Sequence, residues 1–323
     1  MAEVETVTGP VPAEQLGLTL VHEHVRFRDE AVAEQWPHLY DRDAELAAAV
    51  EAVNAAKAHG VRTICDPTAM FGGRDVRFMR EVSERTGVQI VACTGIYTYD
   101  HLPMFFRTRD VDAIAELFVR DISEGIQGTD IKAAFIKCAA DEPGVNENVE
   151  KIHRAAARAS RATGVPIMAH TRPASNTGPR QLEILLEEGV APGKVQLAHT
   201  GDSDDLDYIV PLLEQGVYVG LDRYGLEMFL PLERRNETLL ALVERGYVDR
   251  LLVSQDFCAT IDWFPPEAVE QLVAGGAVSP DWSMVLVFEK VLPALRERGL
   301  SAEDERRIFV DNPRRWLTGE RLS

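Results

Sequence analysis

The chain has 323 residues, of which 46% are hydrophobic, and its 52 acidic and 34 basic side chains give a formal net charge of −18. This excess of negative charge disfavours binding to the phosphate backbone of nucleic acids and provides no basic strip for an anionic membrane surface. The sequence also contains no apolar run of about 18 residues, so it predicts no transmembrane helix.

The first residues and the cysteines bear on the cellular compartment. Glu3 and Glu5 precede the first basic residue, Arg26, whereas a signal peptide has a basic start followed by an apolar stretch. Cysteines without CxxC spacing are typical of reduced thiols in an intracellular protein, and here they are Cys65, Cys93, Cys138 and Cys258. We therefore expect a cytoplasmic protein.

Eight short apolar runs along the chain predict β-strands. They are bounded by turn residues and separated by segments in which apolar residues recur with a period near 3.6, as in 44–58 and 149–162. In chain order the predicted strands are Leu18–Val21, Val61–Cys65, Ile90–Thr94, Ala133–Cys138, Pro166–Ala169, Val195–Ala198, Tyr218–Leu221 and Leu251–Ser254.

A Gly-Val pair comes before or at the start of most of these strands. Glycine at the end of a helix adopts the left-handed conformation without steric cost, so each pair predicts a helix end followed by a strand. The pairs begin at Gly60, Gly87, Gly164, Gly189 and Gly216.

Eight alternating strands and helices predict a closed (β/α)8 TIM barrel, and barrels of this length form one domain, here 1–323. The alternative is an open, doubly wound sheet, but the G-x-G-x-x-G and Walker-A motifs of nucleotide-binding folds are absent. The segment 301–317 resembles the C-terminal helices that cap such barrels. The long segment 257–280 is expected to be a lid or binding loop.

Residues with metal-ligand chemistry follow the predicted strands, at the end where barrel active sites lie. Neutral imidazole and carboxylate groups at one rim suit Zn²⁺, Fe²⁺, Co²⁺ or Mn²⁺. The residues at these positions are His22 and His24, Asp66, Thr94–Gly95, Lys137, His170, His199, Asp222 and Asp256. Structural or solvated positions are expected for the other histidines, His38, His59, His101 and His153.

Lys137 and Asp256 each allow two interpretations. Burial and nearby positive charge lower the pKa of a lysine, and its neutral amine can take up CO₂ to become a carbamate that bridges two metals. Alternatively, Lys137 pairs with Asp141 or Glu142, or extends towards solvent. Asp256 can bind a metal and accept a proton, or it can serve as a helix-capping or turn residue.

Six phrases spread over the whole chain resemble the phosphotriesterase family of the amidohydrolase superfamily, and in particular its lactonase branch. These are Val-His-Glu-His at 21–24, Lys137, Ala-His-Thr at 169–171, Ala-His-Thr-Gly-Asp at 198–202, Leu-Asp-Arg-Tyr-Gly at 221–225 and Ser-Gln-Asp at 254–256.

The resemblance implies two divalent metal ions per chain. His22, His24 and Asp256 would hold the more buried ion, and His170 and His199 the more exposed one. N6-carboxylated Lys137 and a hydroxide would bridge them, and the hydroxide would attack the carbonyl of a lactone. Asp256 would then pass the proton to the leaving alkoxide.

The resemblance also implies the substrate-contacting residues and a homodimer. Tyr97 would orient the substrate, and Arg223 would order a loop or stabilise oxyanion charge. The alternatives are an interfacial tyrosine and an arginine paired with Asp222. The complete set expected to contact substrate is Tyr97, Tyr99, Arg223, Leu226, Phe229, Cys258 and Trp263.

Apolar residues in the last two rim loops would suit an acyl chain. Within the family, a long apolar lid and the Arg-Tyr-Gly phrase at 223–225 resemble the lactonases, including those that open N-acyl-homoserine lactones, which implies phosphotriester hydrolysis as a side activity. Such an enzyme would act in quorum quenching. Alternatively, the long loop packs its own small core or forms a dimer contact. The alternative functions are a primary phosphotriesterase and a sister amidohydrolase acting on another ester or an amide. The intact ligand set argues against a barrel without enzymatic activity.

Overall fold

Eight parallel strands form a (β/α)8 TIM barrel in the computed structural model, which describes residues 2–320. An antiparallel hairpin of β1 (Glu3–Thr6) and β2 (Gly9–Pro12) precedes the barrel. The barrel strands are β3 (Leu18–Leu20), β4 (Val61–Asp66), β5 (Gln89–Gly95), β6 (Phe135–Ala139), β7 (Ile167–His170), β8 (Val195–Ala198), β9 (Tyr218–Leu221) and β10 (Leu251–Val253).

The predicted strands are confirmed, with ends that differ by at most two residues. Each strand from β3 to β9 pairs in parallel with the strand that follows it in the chain, up to β10. The hairpin was not predicted, because its strands have four residues each and β2 contains two prolines, which are unfavourable in a strand.

The ends of the sheet meet just beyond β3 and β10. The amide of Asp256 donates to the carbonyl of His22 at 3.1 Å, and the amide of His24 donates to the carbonyl of Phe257 at 2.8 Å. Farther out, the amide of Phe27 donates to the carbonyl of Thr260 at 2.9 Å. We call this junction between residues 22–27 and 254–261 the seam. It excludes the open-sheet alternative.

Helices cover the outside of the barrel and its rims. In chain order they are α1 (Glu30–Gln35), α2 (Arg42–Ala58), α3 (Val76–Thr86), α4 (Met104–Arg107), α5 (Val111–Ser123), α6 (Glu147–Thr163), α7 (Thr177–Glu187), α8 (Leu206–Glu214), α9 (Leu232–Glu244), α10 (Pro266–Ala274), α11 (Leu292–Glu297), α12 (Ala302–Arg306) and α13 (Asn312–Thr318). Within residues 2–320, no helix combines the length and apolar character needed to cross a bilayer.

The glycines that were predicted to end helices do so in the left-handed conformation. Gly60, Gly87, Gly164, Gly189 and Gly216 have φ between 71° and 91°. The segment predicted as one long loop, 257–280, contains helix α10. This helix begins at Pro266 and ends before Gly275, an arrangement typical of helix ends.

Alternate residues of the strands pack into two cores, as the two faces of a strand require. Ile136 and Cys138 of β6 face the helices, whereas Phe135 packs inside the barrel. Trp316 of α13 is fully buried and packs against Phe135, with ring centroids 5.5 Å apart. The C-terminal helix thus closes the bottom of the barrel and leaves the opposite end for the site.

Candidate metal centre

Side chains with metal-ligand chemistry converge at the carboxyl ends of the barrel strands. One ligand atom from each of His22, His199 and Asp256 lies within 4.8 Å of the other two. His24 Nε2 lies 3.2 Å from Asp256 Oδ1, and the rings of His170 and His199 have centroids 4.5 Å apart. The structure therefore brings these five predicted ligands to one place.

A single carboxylate orients two of the histidines. Because a carboxylate only accepts hydrogen bonds, Nδ1–H of His22 donates to Asp222 Oδ2 and Nδ1–H of His199 donates to Asp222 Oδ1, both at 3.0 Å. The Nε2 atom of each ring is then unprotonated and free to bind a cation. Such outer partners are typical of histidines that bind metals.

The other two histidines have separate partners. His24 Nδ1 lies 2.6 Å from the Thr68 hydroxyl. His170 Nε2–H donates to Asp141 Oδ2 at 2.8 Å, which leaves Nδ1 facing the site as an acceptor for the Tyr97 hydroxyl at 3.0 Å. Asp141 therefore pairs with His170 and not with Lys137.

Lys137 is the central residue of β6, not its last residue, and it points into the barrel. Its side chain is fully buried, and Nζ lies 3.3 Å from His22 Nε2. Burial lowers the pKa of Lys137 to about 8, although the carboxylates of Asp256 and Asp222 oppose this decrease. A substantial fraction of this lysine is therefore a neutral amine at mildly alkaline pH, the form that reacts with CO₂.

Asp256 has an unusual backbone conformation for a residue other than glycine. Its φ of +51° lies in the left-handed region, as does the φ of +64° at His199. Such conformations are uncommon outside glycine and cluster at active sites and ligand-binding positions. Asp256 Oδ1 lies 3.2 Å from Nε2 of both His22 and His24. Although burial opposes ionisation, a hydrogen bond from His24 and the positive charge of Arg223 hold the pKa of Asp256 well below its usual range.

The protonation of the histidines suits a metal site. Burial lowers the pKa of His22, of His199 and of His170, the last to about 3. Burial also acts to lower the pKa of His24, but Asp256 and Asp66 outweigh it and raise this pKa to about 9. Three of the four rings are therefore neutral near pH 7, which is the form that binds metals.

Arg223 connects the site to the loop after β9. Its Nε donates to Asp256 Oδ2 at 2.8 Å, and its Nη1 donates to Asp202 Oδ2 at 3.0 Å. Buried Arg235 donates to the other oxygen of Asp202 and to the carbonyl of Leu230. The alternative pairing of Arg223 with Asp222 is thus not observed.

A cavity of about 220 Å³ opens beside these residues. All seven residues expected to contact substrate line it, namely Tyr97, Tyr99, Arg223, Leu226, Phe229, Cys258 and Trp263. Further apolar lining comes from Phe27, Met228, Ile261, Phe264, Val269, Leu272, Val278 and Trp282. The cavity therefore has a polar floor at Asp256 and largely apolar walls.

The four remaining histidines lie away from this cavity. His38 and His101 are exposed, and His59 follows α2 and faces Glu289. His153 is fully buried on α6, where its Nδ1–H donates to the carbonyl of Val149.

Sequence reasoning did not assign the residues that orient the ligands. Asp222 was noted only at its strand end, and its role depends on Gly220. A side chain at Gly220 would place Cβ 2.2 Å from Asp222 Oδ2. Asp202 lies inside a phrase of the family resemblance, yet only the folded chain shows that it bonds both Arg223 and Arg235.

The donor set fits divalent cations, because neutral imidazoles and an ionised carboxylate present lone pairs to one buried point. Fold and site together define a TIM barrel with a candidate metal centre at the carboxyl ends of its strands. Comparison with known proteins shows which family of metal-site barrels the chain belongs to. The chain belongs to the phosphotriesterase family, whose sequence model matches residues 2–317, and proteins of this family are generally binuclear metal enzymes.

Individual relatives agree with this assignment. The aryldialkylphosphatase of Saccharolobus solfataricus is 48% identical over 95% of this chain and 97% of the relative. The structure of the phosphotriesterase from Mycobacterium tuberculosis matches with a TM-score of 0.92 and 36% identity over 98% of both chains. The N-acetyltaurine hydrolase of Xenopus tropicalis is 26% identical over 98% of both chains. These names place the chain among hydrolases.

Proposed function

We propose that the protein is a binuclear metal-dependent lactonase that hydrolyses N-acyl-homoserine lactones, with a secondary activity on phosphotriesters. The observation that carries this proposal is the cavity, in which apolar walls adjoin the floor formed by Asp256. A lactone ring bound at that floor would place its acyl chain along the walls, where apolar burial contributes to binding.

The residues that would hold the two cations are His22, His24, Lys137, His170, His199 and Asp256. For Lys137 we propose N6-carboxylation. The neutral amine adds to the carbon of CO₂ and loses one proton, which yields an anionic carbamate. The chemistry supplied by Zn²⁺, Co²⁺, Fe²⁺ or Mn²⁺ at these ligands is activation of water as a nucleophile near neutral pH and polarisation of the ester carbonyl.

The other steps belong to the chain itself. Asp256 accepts a proton from the attacking water and delivers it to the alkoxide oxygen that leaves as the ring opens. Arg223 holds the Asp256 carboxylate through Nε. Tyr97 lies beside His170 at the edge of the cavity, where its hydroxyl can bond to a substrate oxygen. The apolar walls limit the access of bulk water to the ester.

Two other functions have specific support. The relative from Saccharolobus solfataricus is named for phosphotriester hydrolysis, and a tetrahedral phosphorus centre resembles the intermediate of lactone opening. The relative from Xenopus tropicalis is named for hydrolysis of an amide. Initial rates on acyl-homoserine lactones of increasing chain length, an aryl dialkyl phosphate and an N-acetyl amide separate the three. The lactonase proposal fails if either of the last two has the higher kcat/KM.

A matched pair of tryptophans tests the use of the cavity. Trp263 lines the cavity and is 43% exposed, whereas Trp36 is 53% exposed and lies outside it. We expect Trp263→Ala to lower kcat/KM about 10-fold for long-chain lactones and less for short ones, because only long chains contact this wall. Trp36→Ala should change neither value. Equal losses at all chain lengths would contradict the proposed acyl site.

A further inference from the structure

Glu23, which stands between the two histidines of the first predicted motif, is buried without any role in the chemistry described above. Its side chain is fully inaccessible to solvent. It does not point to the cavity or to the ligand cluster, and it crosses the seam instead. A carboxylate placed in the interior requires hydrogen-bond donors, and the identity of those donors shows what Glu23 holds.

Three N–H groups donate to Glu23, and all belong to the residues on either side of Asp256. The backbone amide and the side-chain amide of Gln255 donate to Oε1 at 2.8 and 2.9 Å. The backbone amide of Phe257 donates to Oε2 at 2.9 Å. Both oxygens of Glu23 are thus used, and together they hold the chain just before and just after Asp256.

The residue between these two amides needs such support. Asp256 adopts φ +51°, a left-handed conformation that few residues with a Cβ atom adopt. This conformation directs its carboxylate to His22 and His24, with Oδ1 3.2 Å from Nε2 of each ring. If the flanking amides were free, the chain could relax and turn the carboxylate away from these histidines.

We propose that Glu23 is a positioning residue that fixes the conformation of Asp256 and thereby the spacing of the metal ligands across the seam. The proposal rests on the metal site of the proposed function. It explains why a buried glutamate stands between His22 and His24. Residues 22–24 supply the proposed ligands His22 and His24 on one side of the seam. Through Glu23, the same segment holds Asp256, the proposed ligand on the other side.

Glu23→Gln is the sharpest substitution, because it keeps the size of the side chain and removes one acceptor. Its amide group would face an N–H donor, so at least one flanking amide loses its partner. Asn312→Ala is the matched control. Asn312 is equally buried and donates to the carbonyls of Val248 and Leu251, so it holds the opposite end of β10.

The test uses Co²⁺ as the probe. We expect Glu23→Gln to weaken Co²⁺ affinity about 10- to 100-fold in competition with a chelator, as loss of an outer partner does in metal sites. The visible absorption spectrum of the bound Co²⁺ should change, and kcat should fall more than KM rises. In the metal-free protein, hydrogen exchange of the amides of Gln255 and Phe257 should accelerate. Asn312→Ala should lower stability but keep the affinity, the spectrum and kcat.

The inference is wrong if Glu23→Gln is destabilised like the control but retains wild-type Co²⁺ affinity, spectrum and kcat. If Glu23→Gln does not fold, Glu23→Asp carries the same test, because it keeps the carboxyl group and withdraws both oxygens by one methylene. A wild-type protein that retains no stoichiometric Co²⁺ would instead overturn the proposed function, so the two failures are distinguishable.

Discussion

Lys137 connects the inside of the barrel to its rim. Its amine is buried 3.3 Å from a histidine nitrogen, and the carboxylates of Asp256 and Asp222 are near enough to affect its pKa. An ammonium group at this position would repel cations. A neutral amine or a carbamate would not, and the burial that lowers the pKa of Lys137 is the physical reason for the proposed modification.

At the residue scale we predict that Lys137→Ala loses at least about 100-fold in kcat, because it removes the proposed carbamate ligand. Acetate or propionate should restore part of the activity by occupying the vacated space. The measurement is kcat with and without the acid, alongside metal content. Full activity in the variant without added acid would refute the bridging role.

Some residues of the candidate site could be predicted from the sequence, and others could not. Five of the six proposed ligand positions could be predicted from the strand boundaries, because parallel strands bring their carboxyl ends to one rim. Lys137 lies inside β6, and its proposed role came from the family resemblance. Asp141, Asp222 and Glu23 could not be assigned in the same way. Each bonds a residue from another strand or loop, and that contact depends on side-chain directions that the strand pattern does not specify.

At the scale of elements, helices α6 and α7 meet through buried His153. Its Nε2 accepts from Gln181 Nε2 at 2.9 Å, and Gln181 Nε2 also lies 2.9 Å from the carbonyl of His170. Burial lowers the pKa of His153 to about 4. The ring is therefore neutral in the folded protein at pH values where it is already charged in the unfolded chain.

This depressed pKa predicts a pH-dependent loss of stability. In the unfolded chain His153 takes up its proton near pH 6.5, but in the folded protein only near pH 4. The free energy of unfolding therefore decreases as the pH falls between these values. Between pH 7.5 and pH 5, the free energy of unfolding of the wild type should decrease by about 2 kcal/mol more than that of His153→Gln. Urea unfolding at both pH values measures this difference. His38→Gln, at an exposed position, is the control and should behave as wild type.

The elements that were hard to predict share a physical cause. Barrel strands are apolar runs bounded by glycine, and that pattern is local. Hairpin strands β1 and β2 have four residues each and β2 contains two prolines, and helix α10 has nine residues, begins at Pro266 and is followed by two glycines. Their conformations depend on packing against the rest of the chain, which a local pattern does not contain.

For the whole molecule, the proposed cations would connect distant parts of the chain, since the ligands lie on or follow β3, β6, β7, β8 and β10. Ligands that bind only the folded state stabilise it, by about 2.7 kcal/mol at a hundredfold excess over Kd. We therefore expect a chelator to lower the thermal midpoint and Zn²⁺ or Co²⁺ to restore it.

A ligand variant provides the control for this prediction. Asp256→Asn should lose most of the metal-dependent shift, because its side chain no longer offers an anionic oxygen. Wild-type midpoints that do not respond to chelator or metal would contradict a resident metal centre. The homodimer and the cytoplasmic location implied at the sequence level stay predictions.

The seam has a consequence for biosynthesis. Glu23 and Phe257 are 234 positions apart in the chain, so the first pair of histidines leaves the ribosome long before the carboxylate that completes the site. A nascent chain that ends before β10 contains five of the six proposed ligands but not the partner that closes them into one centre. Tight metal binding would therefore begin only after the last strand has been synthesised. Truncated chains should not compete with the full chain for cations.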